Sequence, residues 1–409
     1  MAPRERRHMR ILHTADWHLG ISLGTEKRAD EFDRMLAYIL EKARETETRC
    51  VIISGDVFDA PVPPNQAVAQ YYRFLVDAVR AGIRDVIVTA GNHDSPSFLE
   101  APRELLKRLN VHVFGKLEKD PADQLVVLKE DSGKPCAVVA AIPYLHIRDV
   151  RETVSGEGFD QQHGGYCRGV LAAYRRVCAC AKEKYPALPL LATAHFWALP
   201  GTEPDPSDQM GFQAGVPVGE FPESIDYLAM GHIHTPGPLP YRKNFRYAGS
   251  VLPLTFGEAG REKSMVLLDT DRPAEPETVA LPVFRNLEVL TGTMPELLEQ
   301  IGRLREAGDN AMLDVCQTGP FQPRLRQELD ECCADSGVSV IFCRNQERNP
   351  ALTRRSGSDE RLADLAPETV FARMLDANGT GGEERAQLLE TFREALKDLE
   401  AKQRGGGPA

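Results

Sequence analysis

Val51-Ile52-Ile53-Ser54-Gly55-Asp56-Val57-Phe58-Asp59 is the stretch around which this chain is organised. Its apolar start reads as a buried strand, Gly55 as the turn that ends it, and Asp56 as a carboxylate presented just beyond. Ligand sites of α/β sheets lie outside the carboxyl ends of the strands, so a parallel sheet makes Asp56 an active-site residue. The same pattern stands on either side. Arg10 to Ala15 runs into Asp16-Trp17-His18, and Val86 to Ala90 runs into Gly91-Asn92-His93-Asp94. Three strands in a row end in metal-ligand or acid/base residue types.

Between the first two strands, Phe32, Met35, Leu36, Ile39, Leu40 and Ala43 recur at helical spacing. They predict a helix over Glu26–Glu45 lying on the sheet. Ala60 to Pro64 is a rigid loop, Asn65 the expected cap of a second helix to about Ala81, and a short helix is expected near Glu100–Leu109. Strand–helix repeats at this spacing predict right-handed βαβ units. Two short strands follow within Leu125–Ile142, about a hairpin turn at Asp131–Lys134. A helix at Tyr166–Lys184 leads to the strand Leu188–Ala194, ending at His195. Pro200–Gly215, rich in Pro, Asp and Gly, is expected as a mobile rim of the site. The strand Asp226–Met230 ends in Gly231-His232-Ile233-His234. Tyr247–Ser250 and Ser264–Asp269 are expected to close a second sheet. The fold class is therefore α/β, a two-sheet sandwich with helices outside, over residues 9–281.

Asp271–Pro282 reads as a Pro/Glu-rich connector. Asn286–Gly292, Pro295–Glu306, Ala311–Gln317, Gln322–Ala334 and Val338–Cys343 read as β-α-β-α-β, a small α+β capping domain over 282–345. Residues 346–366 are a polar linker, and 367–404 a helix–loop–helix. Residues 405–409 are a disordered tail. Residues 1–8, basic and without a following apolar stretch, read as a disordered extension ahead of Met9 rather than a signal peptide. Val370, Phe371, Met374 and Leu375 on the first terminal helix, and Leu388, Leu389, Phe392, Leu396 and Leu399 on the second, form apolar stripes. Such stripes either seat in a partner's groove or pack on each other or on the small domain.

A length of 409 residues calls for two or three domains. No apolar run approaches the ~18 residues of a membrane span. Nine cysteines without a C-x-x-C pair fit a reduced cytoplasmic protein. A formal charge of −11 argues against coating nucleic acid by bulk electrostatics, though not against a local basic groove.

The polar residues at strand ends are Asp16, His18, Asp56, Asn92, His195, His232 and His234. Seven oxygen and nitrogen ligands are too many for one divalent ion and suit two ions, with Asp56 on the central strand as bridge. Carboxylate, amide and imidazole without thiolate suit Mn²⁺, ahead of Mg²⁺, Fe²⁺ or Zn²⁺. Two such ions ~3.5–4 Å apart clamp the attacking and leaving oxygens of an in-line displacement. Each piece alone is common; their order, each just after an apolar strand, is not. His13 and His112 read as packing residues within strands.

The set Asp16-x-His18, Gly55-Asp56-x-x-Asp59, Gly91-Asn92-His93-Asp94, His195 and Gly231-His232-x-His234 resembles the calcineurin-like metallophosphoesterases. His13–Gly20, and Tyr247-Ala248-Gly249-Ser250-x-x-Pro253-Leu254-x-Phe256-Gly257-Glu258, narrow the resemblance to the nuclease subunits of bacterial SbcCD-type double-strand-break repair complexes. Asp59, a histidine in archaeal and eukaryotic relatives, favours the bacterial branch; its role stays open between ligand and partner of a ligand. The resemblance implies that Asp16, His18, Asp56 and His234 hold one metal, and Asp56, Asn92, His195 and His232 the other. It implies that His93 faces the scissile phosphate and stabilises or protonates the leaving oxygen, with Asp94 orienting its imidazole.

It further implies a Mn²⁺-dependent DNA nuclease using a metal-bound hydroxide, with 3′→5′ double-strand exonuclease and single-strand endonuclease action. The implied partners are DNA and an SbcC-like coiled-coil ATPase docked on the terminal helices, in a heterotetramer built on a homodimer, nucleoid-associated in the cytoplasm. No P-loop occurs in the chain, so ATP dependence falls to the partner. Two readings compete. A small-molecule or cyclic-nucleotide phosphodiesterase leaves the carboxyl-terminal elements without a task, and a non-catalytic DNA-end scaffold has no need of seven metal-site residues.

Overall fold

Successive strand side chains point to opposite faces, and in Cys50–Ser54 both faces are buried. Val51 and Ile53 pack with Phe32, Met35, Ile39, Tyr71 and Phe74 of two helices, while Cys50 and Ile52 pack with Val139, Leu191 and Tyr227 of a second sheet. A strand covered on both sides has no polar alternation, which is why its sequence is a continuous apolar run. Full burial of each such Val or Ile contributes about 1.5–3 kcal/mol relative to exposure.

The computed structural model describes residues 9–150, 159–200, 209–210 and 213–346, and beyond them Phe371, Ala372, Leu375, Arg385, Leu388, Leu389, Thr391 and Phe392. The chain divides into two compact units, Met1–Glu288 and Val289–Ala409. In the first, β1 (Arg10–Thr14), α1 (Ala29–Glu45), β2 (Cys50–Ser54), α2 (Asn65–Arg80) and β3 (Asp85–Thr89) alternate. Two short helices, α3 (Pro96–Glu100) and α4 (Arg103–Lys107), precede β4 (Val111–Phe114). The chain then lays down β5 (Leu125–Lys129), β6 (Pro135–Ala140), α5 (Phe159–Lys184), β7 (Leu190–His195), β8 (Tyr227–Gly231), β9 (Gly237–Leu239) and β10 (Arg242–Tyr247). It ends with β11 (Ser264–Asp269) and β12 (Glu277–Ala280).

One sheet has the order β12-β11-β1-β2-β3-β4 and the other β9-β10-β8-β7-β6-β5. Strands β1 to β4 are parallel, as are β6, β7, β8 and β10. The parallel strands of both sheets end at one edge, where the polar residues gather. Val170, Tyr174 and Val177 of α5 cover the outer face of the second sheet, against Leu190, Ala192 and Leu228.

Four expectations need correction. Helix α1 starts at Ala29 because Glu26–Lys27 pairs with Ser22–Leu23 in a small ribbon. Asn65 is the first helical residue of α2 rather than its cap, since the extended Pro64 precedes it and no side chain caps the helix. Strand β11 joins the first sheet, antiparallel to β1 with Leu12 opposite Leu267, rather than closing the second. The supposed connector contains β12, an exposed edge strand with no apolar period to reveal it.

From the unit boundary onward the chain carries the expected β-α-β-α-β order, its first strand starting two residues before it: β13 (Leu287–Gly292), α6 (Met294–Glu306), β14 (Met312–Gln317), α7 (Leu325–Cys333) and β15 (Ser339–Asn345). Thr293 and Glu296 form a capping box at the start of α6. Leu297, Ile301 and Leu329 of the helices are fully buried against Leu313 and Val315. Farther on, the Phe371 and Phe392 rings stack with centroids 4.2 Å apart and Leu375 is buried, whereas Leu388 is exposed. Leu389 lies partly buried. Val370, Met374, Leu396 and Leu399 lie outside the described residues, as does most of the expected rim, 201–208 and 211–212. All nine cysteines are free thiols. Among the described residues no helix is long and apolar enough to cross a membrane.

Candidate metal centre

Past the sheet edge, the chains leaving β1 and β2 continue side by side. Asp16 N donates to the Gly55 carbonyl at 3.1 Å, His18 N to the Asp56 carbonyl at 2.9 Å, and Leu19 N to the Val57 carbonyl at 2.9 Å. Asp16, His18, Asp56 and His232 all sit in left-handed backbone, at φ of 51°, 48°, 48° and 92°. Non-glycine residues there cost ~1–3 kcal/mol each and cluster at functional sites. Two glycines supply room. A Cβ on Gly55 would lie 2.1 Å from His195 Nδ1, and one on Gly91 would lie 2.0 Å from Asp56 Oδ1.

The donor atoms converge on Asp56. Its Oδ2 lies 3.1 Å from His195 Nε2 on one side and 3.5 Å from His18 Nε2 on the other. Asn92 Oδ1 stands 3.0 Å from both His195 Nε2 and His232 Nδ1. Asp16, His18 and His234 each offer a ligand atom within 4.8 Å of the others, and so do Asp16, Asp56 and His195. All seven expected ligands thus share one cleft edge. Ligands ~2.1 Å from a divalent ion at right angles stand about 3 Å apart, the spacing seen around Asp56 and Asn92.

Residues 9–236 match the calcineurin-like phosphoesterase family. The chain belongs to that family. Residues 283–378 match a domain described as the type 5 capsule protein repressor C-terminal domain. The SbcD protein of the SbcCD nuclease of Rhodobacter capsulatus is 34% identical over 312 residues, covering 72% of this chain and 76% of the relative. That of Escherichia coli is 28% identical over 400 residues, covering 96% and 98%, and that of Bacillus subtilis 29% over 275 residues, covering 66% and 68%.

The orphaned atoms of this phosphoesterase centre fit divalent ions. Asp16 Oδ2 and His18 Nε2 are buried without a hydrogen-bond partner. Three imidazoles have Nδ1 against an oxygen acceptor: His18 against Asp59 Oδ1 at 3.2 Å, His195 against the Ser54 carbonyl at 2.9 Å, and His234 against Glu258 Oε1 at 3.1 Å. That arrangement places a proton on Nδ1 and leaves Nε2 as the nitrogen available to a metal, the usual state of a metal-bound histidine.

The electrostatics point the same way. Burial would depress His195, but Asp56 at hydrogen-bond distance and then Asp16 raise it to about 9. Burial opposes the ionised Asp56, yet His195 and His18 hold it below the usual carboxylate range. Asp16 is raised by burial, with Asp56 adding to the effect. His232 is lowered to about 3 by burial and by the neighbouring His195. Buried carboxylates here draw positive charge onto an imidazole that would otherwise be neutral, so the donor set calls for cations.

One expectation about the surroundings changes. Asp94 does not touch the His93 ring. Its Oδ2 accepts from Gly91 N at 2.9 Å and Val57 N at 3.1 Å, and its Oδ1 from Phe58 N at 2.9 Å. Burial and then Asp56 push it up to about 6 against those three donors. It braces the β2 and β3 loops together. His93 is held instead by the Asp59 carbonyl, 2.9 Å from its Nδ1, and its own N–H donates to Asp56 Oδ1 at 2.8 Å. The ring is exposed, edge-on to His18 with centroids 4.8 Å apart. Asp59 lies behind His18, its carboxylate on Nδ1. His13 and His112 are elsewhere, His13 buried against Tyr227 OH at 2.9 Å and His112 against Asp85 at 3.1 Å. Sequence reasoning missed Glu258 as the partner of His234, although Phe256-Gly257-Glu258 carried part of the resemblance.

Proposed function

We propose that the chain is the nuclease subunit of an SbcCD-type complex, hydrolysing DNA phosphodiesters with two divalent ions, Mn²⁺ foremost. The observation that carries this is the convergence of the Asp56 carboxylate, the Asn92 amide and the imidazoles of His18 and His195 at 3.0–3.5 Å in a calcineurin-like phosphoesterase. Asp16, His18, Asp56 and His234 would hold one ion, and Asp56, Asn92, His195 and His232 the other. Bound there, the pair supplies Lewis acidity to a phosphodiester anion and its attacking water.

The chain's own residues do the rest. Asp16 and Asp56 leave the site with two negative charges, so two dications keep a net positive field for the substrate. The Asp59 carbonyl fixes the proton on His93 Nδ1 and leaves Nε2 toward the open side. From there His93 can stabilise the leaving oxygen or protonate it. Asp59 sets the tautomer of His18, and Asp94 fixes the loops that carry Asp56 and Asn92.

The same reading gives 3′→5′ double-strand exonuclease and single-strand endonuclease action, a cytoplasmic location at the nucleoid, and a homodimer within a heterotetramer. An SbcC-like coiled-coil ATPase is the partner of the terminal helix pair. The test is incubation of the purified chain with end-labelled duplex DNA, with and without Mn²⁺, beside Asp56→Asn. Cleavage should require the metal and vanish in the variant. Activity above a tenth of wild type in Asp56→Asn would sink the two-ion assignment.

A further inference from the structure

Glu258 is buried at 7% exposure, on a short helical turn far along the chain from the other site residues. Its Oε1 faces His234 Nδ1 at 3.1 Å and accepts from Thr255 Oγ1 at 3.3 Å. Its Oε2 accepts from Lys263 Nζ at 2.5 Å, Ser250 Oγ at 3.2 Å and Leu254 N at 3.3 Å. Lys263, at 3% exposure, also donates to the His234 carbonyl at 2.9 Å and to Ser250 Oγ at 2.8 Å. One buried ion pair thus grips both the ring and the backbone of a single histidine. Gly249, at φ 78°, lets the chain pass: a Cβ there would lie 2.9 Å from the His234 carbonyl oxygen.

A buried ion pair is weak evidence for stability, because apolar residues of similar volume often do as well or better. What it does give is orientation. The other expected ligand histidines whose Nδ1 meets a partner outside the ligand set use a carbonyl (His195) or the partly exposed Asp59 (His18). Only His234, itself partly exposed, has a carboxylate locked in place by a lysine among the described residues. Ligating histidines owe tautomer, ring angle and basicity to such partners, whose loss costs ~10–100-fold in metal affinity.

We propose that Glu258, fixed by Lys263, is a positioning residue that sets the affinity of the Asp16–His18–His234 side for its divalent ion, which makes the two ions unequal in their dependence on the protein. The inference rests on the two-ion reading above. The full chain, stripped with chelator, is titrated with Mn²⁺ alone, and free Mn²⁺ is followed by its electron paramagnetic resonance signal. Wild type should take up two ions. In Glu258→Gln one site should weaken ~10–100-fold with the other unchanged, and excess Mn²⁺ should restore kcat to within about threefold.

Since Glu258→Gln strands a buried ammonium, Glu258→Gln/Lys263→Met removes both charges and should show the same single weakened site. Wild-type affinity at both sites in either folded variant would overturn the proposal while leaving the two-ion reading standing. Unfolding of both variants by circular dichroism would make Glu258 a structural residue and overturn it too. A wild-type chain that takes up no Mn²⁺ would overturn both readings.

Discussion

Asp94→Ala is the substitution whose cost separates a structural brace from a catalytic partner. The carboxylate accepts three backbone N–H groups, from Val57, Phe58 and Gly91, at 2.9–3.1 Å, and is 4% exposed. Alanine strands all three donors. An unsatisfied buried donor costs about 1–3 kcal/mol, so the gross loss is on the order of 6 kcal/mol. Part of it returns, because the ionised group is itself destabilised. Burial and Asp56 raise its pKa to about 6 even with the three N–H donors in place. The expected net loss therefore lies below the gross figure but above the ~1 kcal/mol of a single stranded donor. Asp94→Asn can keep its oxygen toward Val57 and Gly91 and should cost less.

The assay is urea unfolding in chelator, followed by tryptophan fluorescence. The chain's two tryptophans, Trp17 and Trp197, both lie in the first unit, so the signal reports that unit alone. A loss under ~1 kcal/mol, combined with a ~10²–10⁴-fold fall in kcat at unchanged Mn²⁺ uptake, would refute the brace. Asp94 would then serve His93 after all.

His93→Gln should leave both ions bound, since the ring's hydrogen bond runs to a backbone carbonyl, and should lower kcat ~10²–10⁴-fold; an emptied site on metal analysis would make His93 a ligand. Truncation after Ala366 removes the terminal helix pair. It should preserve Mn²⁺-dependent cleavage and abolish co-purification with the ATPase. The stacked Phe371 and Phe392 rings show that part of the apolar stripe already has a partner within the chain, so retained ATPase binding would assign the whole stripe to packing.

What was legible in the sequence had a local cause. Each expected ligand stands at or just after the end of an apolar strand, and a strand buried on both faces shows as a continuous apolar run. Gly55 and Gly91 were legible as turns; their second role, giving way to His195 and to the Asp56 carboxylate, depends on contacts from distant parts of the chain. The pairing of Asp94 with the His93 ring came from the resemblance, not from any pattern in the residues. The carboxylate instead takes the Val57, Phe58 and Gly91 N–H groups, two of them from the turn that follows the left-handed Asp56. Strand β11 was assigned to the wrong sheet because Ser264–Asp269 is apolar on both faces, and such a strand fits the middle of either sheet. Glu258 was missed because its partner lies 24 residues away, beyond the β9–β10 hairpin.

The strained residues explain why the cluster survives as a unit. Four of the expected ligands or their neighbours in the cage are left-handed, at ~1–3 kcal/mol each, a large sum against the stability of a whole domain. No single side chain offsets that. The backbone does, through the ladder from Asp16 N to Leu19 N, the His232 N–H donated to Asp16 Oδ1 at 2.8 Å, and the His93 N–H donated to Asp56 Oδ1. In each of the last two contacts one oxygen of an expected ligand carboxylate is spent on fixing the next loop. The other stays free for chemistry: Asp16 Oδ2 has no partner, and Asp56 Oδ2 faces His195 and His18. One oxygen holds the fold and one faces the centre, so an asparagine at Asp56, able to keep the loop contact through its amide oxygen, should remove the chemistry while the cage stands.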